Sequence, residues 1–310
     1  MREIISPRDA RRISLIIPCY RDAATIARAL DSVSRQTRPV DEVVLVNDCS
    51  PETQEIEQVL QAYPHILYIK NPVNLGLAAT RNRGVSAADG DVVTFLDADD
   101  ELHPQKIEFQ VRMLRENSAV ACGVHRVAAT ERIDAHIIYP KLTCSRIVTS
   151  TSRMLFTNYL TGASIMIAKD LMVEMGGYDA TLRSCEDYDL WLRLLEAGVT
   201  VYDIRLPLYV YHYNEDSLSN NYLNVSYWEL EVLRKYYARN QRARFESVWD
   251  ACIWAFWMLK HLARYERVRD ERLQVRTMEN IELLSKHPLL AWPLKVISRS
   301  HALKLYTFMR

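Results

Sequence analysis

The sequence predicts an α/β fold, a mostly parallel sheet flanked by helices, followed by a C-terminal helical extension. Three observations point there. Over the first hundred residues, short apolar runs rich in β-branched residues alternate with segments of helical periodicity. Each run ends in polar or conformationally special residues. From about Tyr222 onward the pattern is helical alone.

Taken in order, Ile13–Pro18 is the first strand, and Ala23, Ile26, Leu30 and Val33 then recur at helical spacing behind a cap expected at Asp22. Val43–Val46 is the second strand, with a helix through Ile56, Val59 and Leu60. Ile66–Ile69 is the third, Leu75–Ala88 a helix, and Val92–Leu96 the fourth strand. Strands separated by helices imply parallel units with right-handed crossovers. Their ends, Pro18-Cys19-Tyr20, Asn47-Asp48 and Asp97-Ala98-Asp99, are therefore expected in one crevice at the carboxyl edge of the sheet. Pro104–Arg115 reads as a helix, Ala119–Thr130 as extended chain, and Arg132–Thr157 as loop-rich. Ala163–Ala168 is a small strand. A Gly176-Gly177-Tyr178 turn precedes a helix from Glu186 to Glu196, which buries Leu190, Trp191, Leu194 and Leu195 and ends at Gly198. Val199–Tyr202 and Leu208–Tyr213 read as two further strands. Helices follow at Trp228–Ala238, at Phe245–Arg267 and after Gln274.

The 310 residues suffice for a core burying about three quarters of the unfolded surface, and 49% hydrophobic with 25% charged residues is ordinary globular composition. Net charge is zero but unevenly spread. Residues 1–221 carry 23 Lys+Arg against 30 Asp+Glu (−7), and residues 222–310 carry 16 against 9 (+7). The acidic front excludes a nucleic-acid reader, whose main domain presents a basic stripe, while the basic end suits an anionic partner. The six cysteines (Cys19, Cys49, Cys122, Cys144, Cys185, Cys252) form no CxxC pair and no zinc-like spacing, so reduced thiols in a cytoplasmic protein are expected. The apolar run Ile13–Ile17 is too short for a signal-peptide core, and no stretch approaches the ~18–20 apolar residues of a membrane span.

Four segments carry chemistry. Asp97-Ala98-Asp99-Asp100 follows a strand apolar but for Thr94, and two carboxylates at alternate positions suit Mg²⁺ or Mn²⁺ with phosphate oxygens completing the shell. A solvated loop is the ordinary account of the same residues. Asn74–Gly84 opens a helix with small residues, and Arg81 or Arg83 is placed to reach a diphosphate or else to be a solvated surface arginine. Asp48 either accepts hydrogen bonds from a base or ribose or caps the helix near Glu52. Glu186 and Asp187 start a helix, where carboxylates are favoured by the macrodipole; a general base among them is the functional account.

These segments together resemble the family 2 glycosyltransferases of the GT-A fold over roughly residues 12–220. Ser14-Leu15-Ile16-Ile17-Pro18-Cys19-Tyr20 is similar to the family's opening strand and Leu45-Val46-Asn47-Asp48-Cys49-Ser50 to its second. Asn74–Gly84 is similar to its N-x-G-x-x-x-A-R-N-x-G helix, with Thr80 where Ala is usual. Phe95-Leu96-Asp97-Ala98-Asp99-Asp100 resembles its metal motif; Gly176-Gly177-Tyr178-Asp179 and Glu186-Asp187-Tyr188-Asp189-Leu190-Trp191 resemble its acceptor-side block. Five ordered matches are far more specific than any one.

The resemblance implies a Rossmann-like nucleotide-sugar-binding half at 1–110 and an acceptor half at 111–221, and the charge and helical pattern set 222–310 apart as a basic helical region. It implies an inverting enzyme that moves a sugar from a nucleotide-diphosphate donor, a UDP-sugar, to a glycan or lipid-linked acceptor in polysaccharide or glycolipid assembly. The donor set it implies is Pro18, Tyr20, Asp48, Arg81, Asp97 and Ala98. Asp99 and Asp97 would hold Mn²⁺ or Mg²⁺, and Asp187 would be the base, with Glu186 orienting the acceptor or the two roles reversed. One departure stands out. Tyr211-His212-Tyr213-Asn214 replaces the family's Tyr-Arg-x-His segment, so His212 is either a third metal ligand or structural. A nucleotidyltransferase is the rival enzyme class, against which residues 18–29 contain no glycine for a phosphate loop. A degenerate member binding sugar nucleotides without turnover is the other rival, against which Asp97, Asp99 and Asp187 are intact. Residues 222–310 lie outside the resemblance. They read as a helical subdomain packed on the catalytic unit or as a basic, aromatic surface for peripheral contact with the inner face of a membrane.

Overall fold

A computed structural model describes residues 11–128, 139, 145–148, 151–156, 158–213 and 222–240. The expected helices at 245–267 and beyond 274 lie outside the described residues, as does the segment 129–138.

In chain order the elements are β1 (Ile13–Cys19), α1 (Ile26–Ser34), β2 (Glu42–Asn47), α2 (Thr53–Leu60), β3 (Leu67–Lys70), α3 (Leu77–Ala87), β4 (Val92–Phe95), β5 (Glu101–Leu102), α4 (Lys106–Met113), β6 (Ser118–Ala128), β7 (Ser145–Val148), α5 (Thr151–Phe156), a 3₁₀ turn (Gly162–Ser164), β8 (Met166–Ala168), α6 (Lys169–Glu174), α7 (Glu186–Glu196), β9 (Thr200–Tyr213) and α8 (Tyr222–Arg239). The sheet runs β3-β2-β1-β4-β8-β6-β9-β5, with β7 also pairing β9. β1 is parallel to β2 and to β4, and β2 to β3, as the alternating pattern predicts. β8 reverses the direction, pairing antiparallel with both β4 and β6.

Every residue of β1 is buried, which is why it reads as a nearly unbroken apolar run, with Ser14 its one hydroxyl, rather than an alternation. Ile13, Leu15, Ile16 and Ile17 each contribute about 1.5–3 kcal/mol by leaving water. The parallel strands β1, β2 and β4 therefore release their chain ends side by side at one edge, and Asp48 N–H donates to the Cys19 carbonyl at 2.9 Å across them.

Several elements differ from expectation, each for a physical reason. α1 begins at Ile26 rather than at Ala23, and the Asp22 carboxylate accepts the Tyr20 N–H at 2.8 Å instead of capping the helix. The two strands read at Val199–Tyr202 and Leu208–Tyr213 are one, β9. It follows β6 across a register shift at Cys122–Gly123, where a side chain on Gly123 would meet the Leu206 carbonyl oxygen at 2.8 Å. The stretch Asp203–Pro207 between the two runs carries this bulge and is not a chain break. α7 buries Leu192 as well as Leu190, Trp191 and Leu194, while Leu195 is half-buried, because the helix is covered on most of its circumference. It ends as expected at Gly198, whose N–H and that of Val199 return to Leu195 and Leu194. The short elements β5, β7, α5 and α6 carry too few residues to show a period.

The chain divides into two compact units. Met1–Thr149 with Tyr159–Ser217 holds the whole sheet. Ser150–Asn158 with Leu218–Arg310 holds α5 and α8.

Candidate active site

The site is built at the carboxyl edge of β1, β2 and β4. On the β1 end, Pro18 is buried in the strand, whereas Tyr20 is 40% exposed with the Arg21 guanidinium 5.4 Å from its ring. On the β2 end, Asp48 is buried. One of its oxygens accepts from Asn71 Nδ2 at 2.7 Å and Leu75 N–H at 2.8 Å, the other from Gly76 N–H at 2.8 Å. Its carboxylate thus fixes the loop that opens α3. The capping alternative falls away: Ser50, not Asp48, accepts the Glu52 N–H.

The β4 end carries the acidic turn. Ala98 and Asp100 are buried, while Asp97 and Asp99 are partly exposed. Burial, and next the Asp97 charge, push the Asp99 carboxyl up to about 6; burial with Asp99 and Asp97 pushes Asp100 to about 8. Asp22 belongs to the same cluster. Burial first, then Asp99, Asp97 and Glu52 as charges, raise it to about 7 against the Tyr20 N–H bond that lowers it. Sequence reasoning missed Asp22 because an Asp before an apolar helix looks like a cap.

Arg81 organises the centre. It is 2% exposed on α3; Nη2 lies 2.6 Å from Asp97 Oδ1 and Nη1 2.7 Å from Glu186 Oε1. Its guanidinium also lies 5.3 Å from the centre of the Tyr178 ring, which packs edge-on against Phe95. Burial opposes the arginine's charge, but Asp97, Tyr178 and Glu186 outweigh it and its pKa rises above the ordinary value. One side chain therefore joins the turn after β4 to the first turn of α7, although 105 residues separate Arg81 from Glu186. Burial raises the Glu186 carboxyl, with Arg81 working against the rise.

Asp187, next on α7, is partly exposed, and Oδ1 accepts the Tyr188 N–H at 2.7 Å. Its seat is the 3₁₀ turn: a side chain on Gly162 would lie 2.5 Å from Asp187 Cβ. Asn82 of α3 holds the glycine turn before α7, donating to the Tyr178 carbonyl at 2.7 Å and accepting its N–H at 2.8 Å. Asn82, inside the Asn74–Gly84 motif, and Asn71, three residues before it, were given no role from the sequence.

His212 is buried on β9. Nε2 lies 2.9 Å from Glu101 Oε1, the backbone N–H donates to Asp100 Oδ1 at 2.8 Å, and Nδ1 is buried with no hydrogen-bond partner. Among the described residues no three His, Cys, Asp or Glu side chains form a metal-ligand set. The fit of a divalent cation rests on Asp97 and Asp99. Two partly exposed carboxylates two residues apart are the kind of hard oxygen donors that Mg²⁺ and Mn²⁺ accept when phosphates and water supply the remaining ligands.

A carboxylate turn at the end of a parallel sheet, tied to a carboxylate-started helix by one arginine, in a sheet of this strand order, defines a GT-A glycosyltransferase. The chain belongs to the family 2 glycosyltransferases. The family model described as "Glycosyl transferase family 2" matches residues 14–164. An uncharacterized glycosyltransferase of Haemophilus influenzae is 31% identical over 257 residues, 81% of this chain and 86% of the relative. The putative teichuronic acid biosynthesis glycosyltransferase TuaG of Bacillus subtilis is 28% identical over 221 residues, 67% of this chain and 82% of that protein. The crystal structure of S. aureus TarS 1-349 in complex with UDP-GlcNAc shares the fold with a TM-score of 0.65 at 18% identity, covering 89% of this chain and 80% of that one.

Proposed function

We propose that this glycosyltransferase is inverting and cation-assisted, moving a sugar from a UDP-sugar to an acceptor hydroxyl in the assembly of a cell-surface polysaccharide or glycolipid. The observation that carries the reading is Arg81, which holds Asp97 at 2.6 Å and Glu186 at 2.7 Å and so sets donor-side and acceptor-side carboxylates in one crevice. The UDP-GlcNAc complex of TarS supports the donor, and the teichuronic acid role in TuaG's name supports the acceptor class.

In this reading Tyr20 lies along the nucleobase, and Asp48 keeps the 74–76 loop closed against it. Asp97 and Asp99 would hold Mn²⁺ or Mg²⁺, which when bound would offset the charge developing on the departing diphosphate. Asp187 accepts the proton of the acceptor hydroxyl as its oxygen forms the new bond to the anomeric carbon and the bond to diphosphate breaks. No side chain acts as nucleophile, so a single displacement inverts the centre. Glu186 is buried and paired with Arg81 while Asp187 is partly exposed, which favours Asp187 as the base. The basic residues 222–310 bring the enzyme to the inner face of a membrane, where a lipid-linked acceptor resides.

The test is a panel of nucleotide sugars assayed for hydrolysis and transfer with Mn²⁺ and with chelator. Turnover of a UDP-sugar with cation is expected; none from any donor would overturn the reading. Asp187→Asn is expected to lower turnover about 10²–10⁴-fold while UDP binding is kept, and wild-type turnover in that variant would sink the base assignment.

A further inference from the structure

The acidic turn 97–100 packs three carboxylates into four residues, an arrangement that like-charge repulsion alone would open. What closes it comes from β9, a strand beyond the residues matched by the family model. Tyr209 is fully buried there. Its hydroxyl donates to Asp100 Oδ2 at 2.7 Å and accepts the Asp97 N–H at 3.1 Å, so one oxygen spans the turn from first residue to last. The His212 N–H, three residues along the same strand, donates to the other Asp100 oxygen at 2.8 Å. The Asp100 N–H returns to the Asp97 carbonyl at 3.1 Å, and Arg28 donates to the Asp99 carbonyl at 2.5 Å. Both Asp100 oxygens are therefore engaged inside the protein, and Asp97 and Asp99 are left as the partly exposed carboxylates of the turn.

We propose that Tyr209 is a positioning residue for cation binding: its hydroxyl locks Asp100 as an internal strut, and this sets the spacing of Asp97 and Asp99 toward the metal and the diphosphate. The inference rests on the reading of Asp97 and Asp99 as the cation-holding pair. Tyr209 touches neither donor nor cation in this role, and its effect reaches them through the turn.

The experiment is Tyr209→Phe, which keeps the ring in its buried slot and removes only the oxygen. Mn²⁺ uptake in the presence of UDP is followed by the paramagnetic resonance of the free ion, alongside the thermal midpoint and the metal dependence of donor turnover. A residue supporting metal ligands from behind typically changes metal affinity about 10–100-fold, and a rise of that size in the Mn²⁺ dissociation constant is expected. The half-saturating metal for turnover should rise in parallel, with turnover at saturating metal close to wild type. Asp100→Asn reads the same contact from its other end and serves if Tyr209→Phe is insoluble. In the double variant the two effects should add only in part, because the Tyr209–Asp100 bond is common to both while the bond from the Asp97 N–H is lost in Tyr209→Phe alone. Unchanged Mn²⁺ affinity in the variants, or a loss confined to turnover at saturating metal, overturns the proposal and leaves the site reading intact. A wild-type protein that takes up no Mn²⁺ with UDP overturns both.

Discussion

At the residue scale, Arg81 is the side chain through which the site holds together. Removing it leaves Glu186, 6% exposed, and Asp97 without their common cation. An uncompensated buried charge of that kind costs about 3–5 kcal/mol, so Arg81→Ala should lower the free energy of unfolding by that order in a denaturant titration. Arg81→Lys should recover only part of it, since an ammonium does not reproduce a planar fork between two carboxylates. Gly162 offers a finer probe. With Asp187 Cβ 2.5 Å from where its own side chain would be, Gly162→Ala displaces the candidate base without touching the nucleotide side. Transfer should fall while UDP affinity, read by calorimetry, stays unchanged; a loss of both would show that the turn serves the donor instead.

At the scale of elements, left-handed residues border the site: Arg21 (φ 63°) follows Tyr20, Cys49 (φ 55°) follows Asp48, and Cys185 (φ 61°) precedes Glu186. Each such non-glycine conformation costs on the order of 1–3 kcal/mol and is retained because the packed strands and helices on either side impose it. A second strained feature lies behind β4. Lys106 on α4 is fully buried, its ammonium donating to Thr94 Oγ1 at 2.9 Å, and burial lowers its pKa to about 8 from 10.5. Because the native state releases this proton first, stability should rise as pH climbs from about 8 to 10.5, where the unfolded chain still binds it, and no further slope from this group is expected below 8. Lys106→Met should flatten that slope and raise stability at neutral pH, measured as denaturation midpoints across the range. A slope identical to wild type would assign the pH dependence elsewhere.

For the whole molecule, the two compact units differ as the charge does. The sheet-bearing unit takes in most of the acidic front, and the basic stretch 222–310 falls within the other. No helix among the described residues is long and apolar enough to cross a membrane. In the proposed role, each Lys or Arg of the basic end near an anionic surface would contribute about 1 kcal/mol, screened by salt. The full chain should co-sediment with phosphatidylglycerol vesicles at low salt and be released at high salt. Equal partitioning to neutral and anionic vesicles would remove this role from the C-terminal region.

Much of the architecture was legible in the order of residues because local physics writes it there. A strand buried on both faces is dominated by apolar residues, as Ile13–Cys19 is with Ser14 its one hydroxyl, and a helix must repeat at 3.6 residues, so β1 to β4 and α7 could be read before any contact was known. Motif spacing likewise singled out Asp97, Asp99, Glu186 and Asp187 as candidates. Partnership was not legible. That Arg81 bonds Glu186 at 105 residues' distance, that Asp48 bonds the 71–76 loop rather than a helix end, and that Tyr209 spans the acidic turn 112 residues away all depend on which strands lie side by side. A side chain's period along the chain records which face it occupies; its hydrogen-bond partner is set by the crossovers that return distant segments to one edge of the sheet, and these leave no local trace.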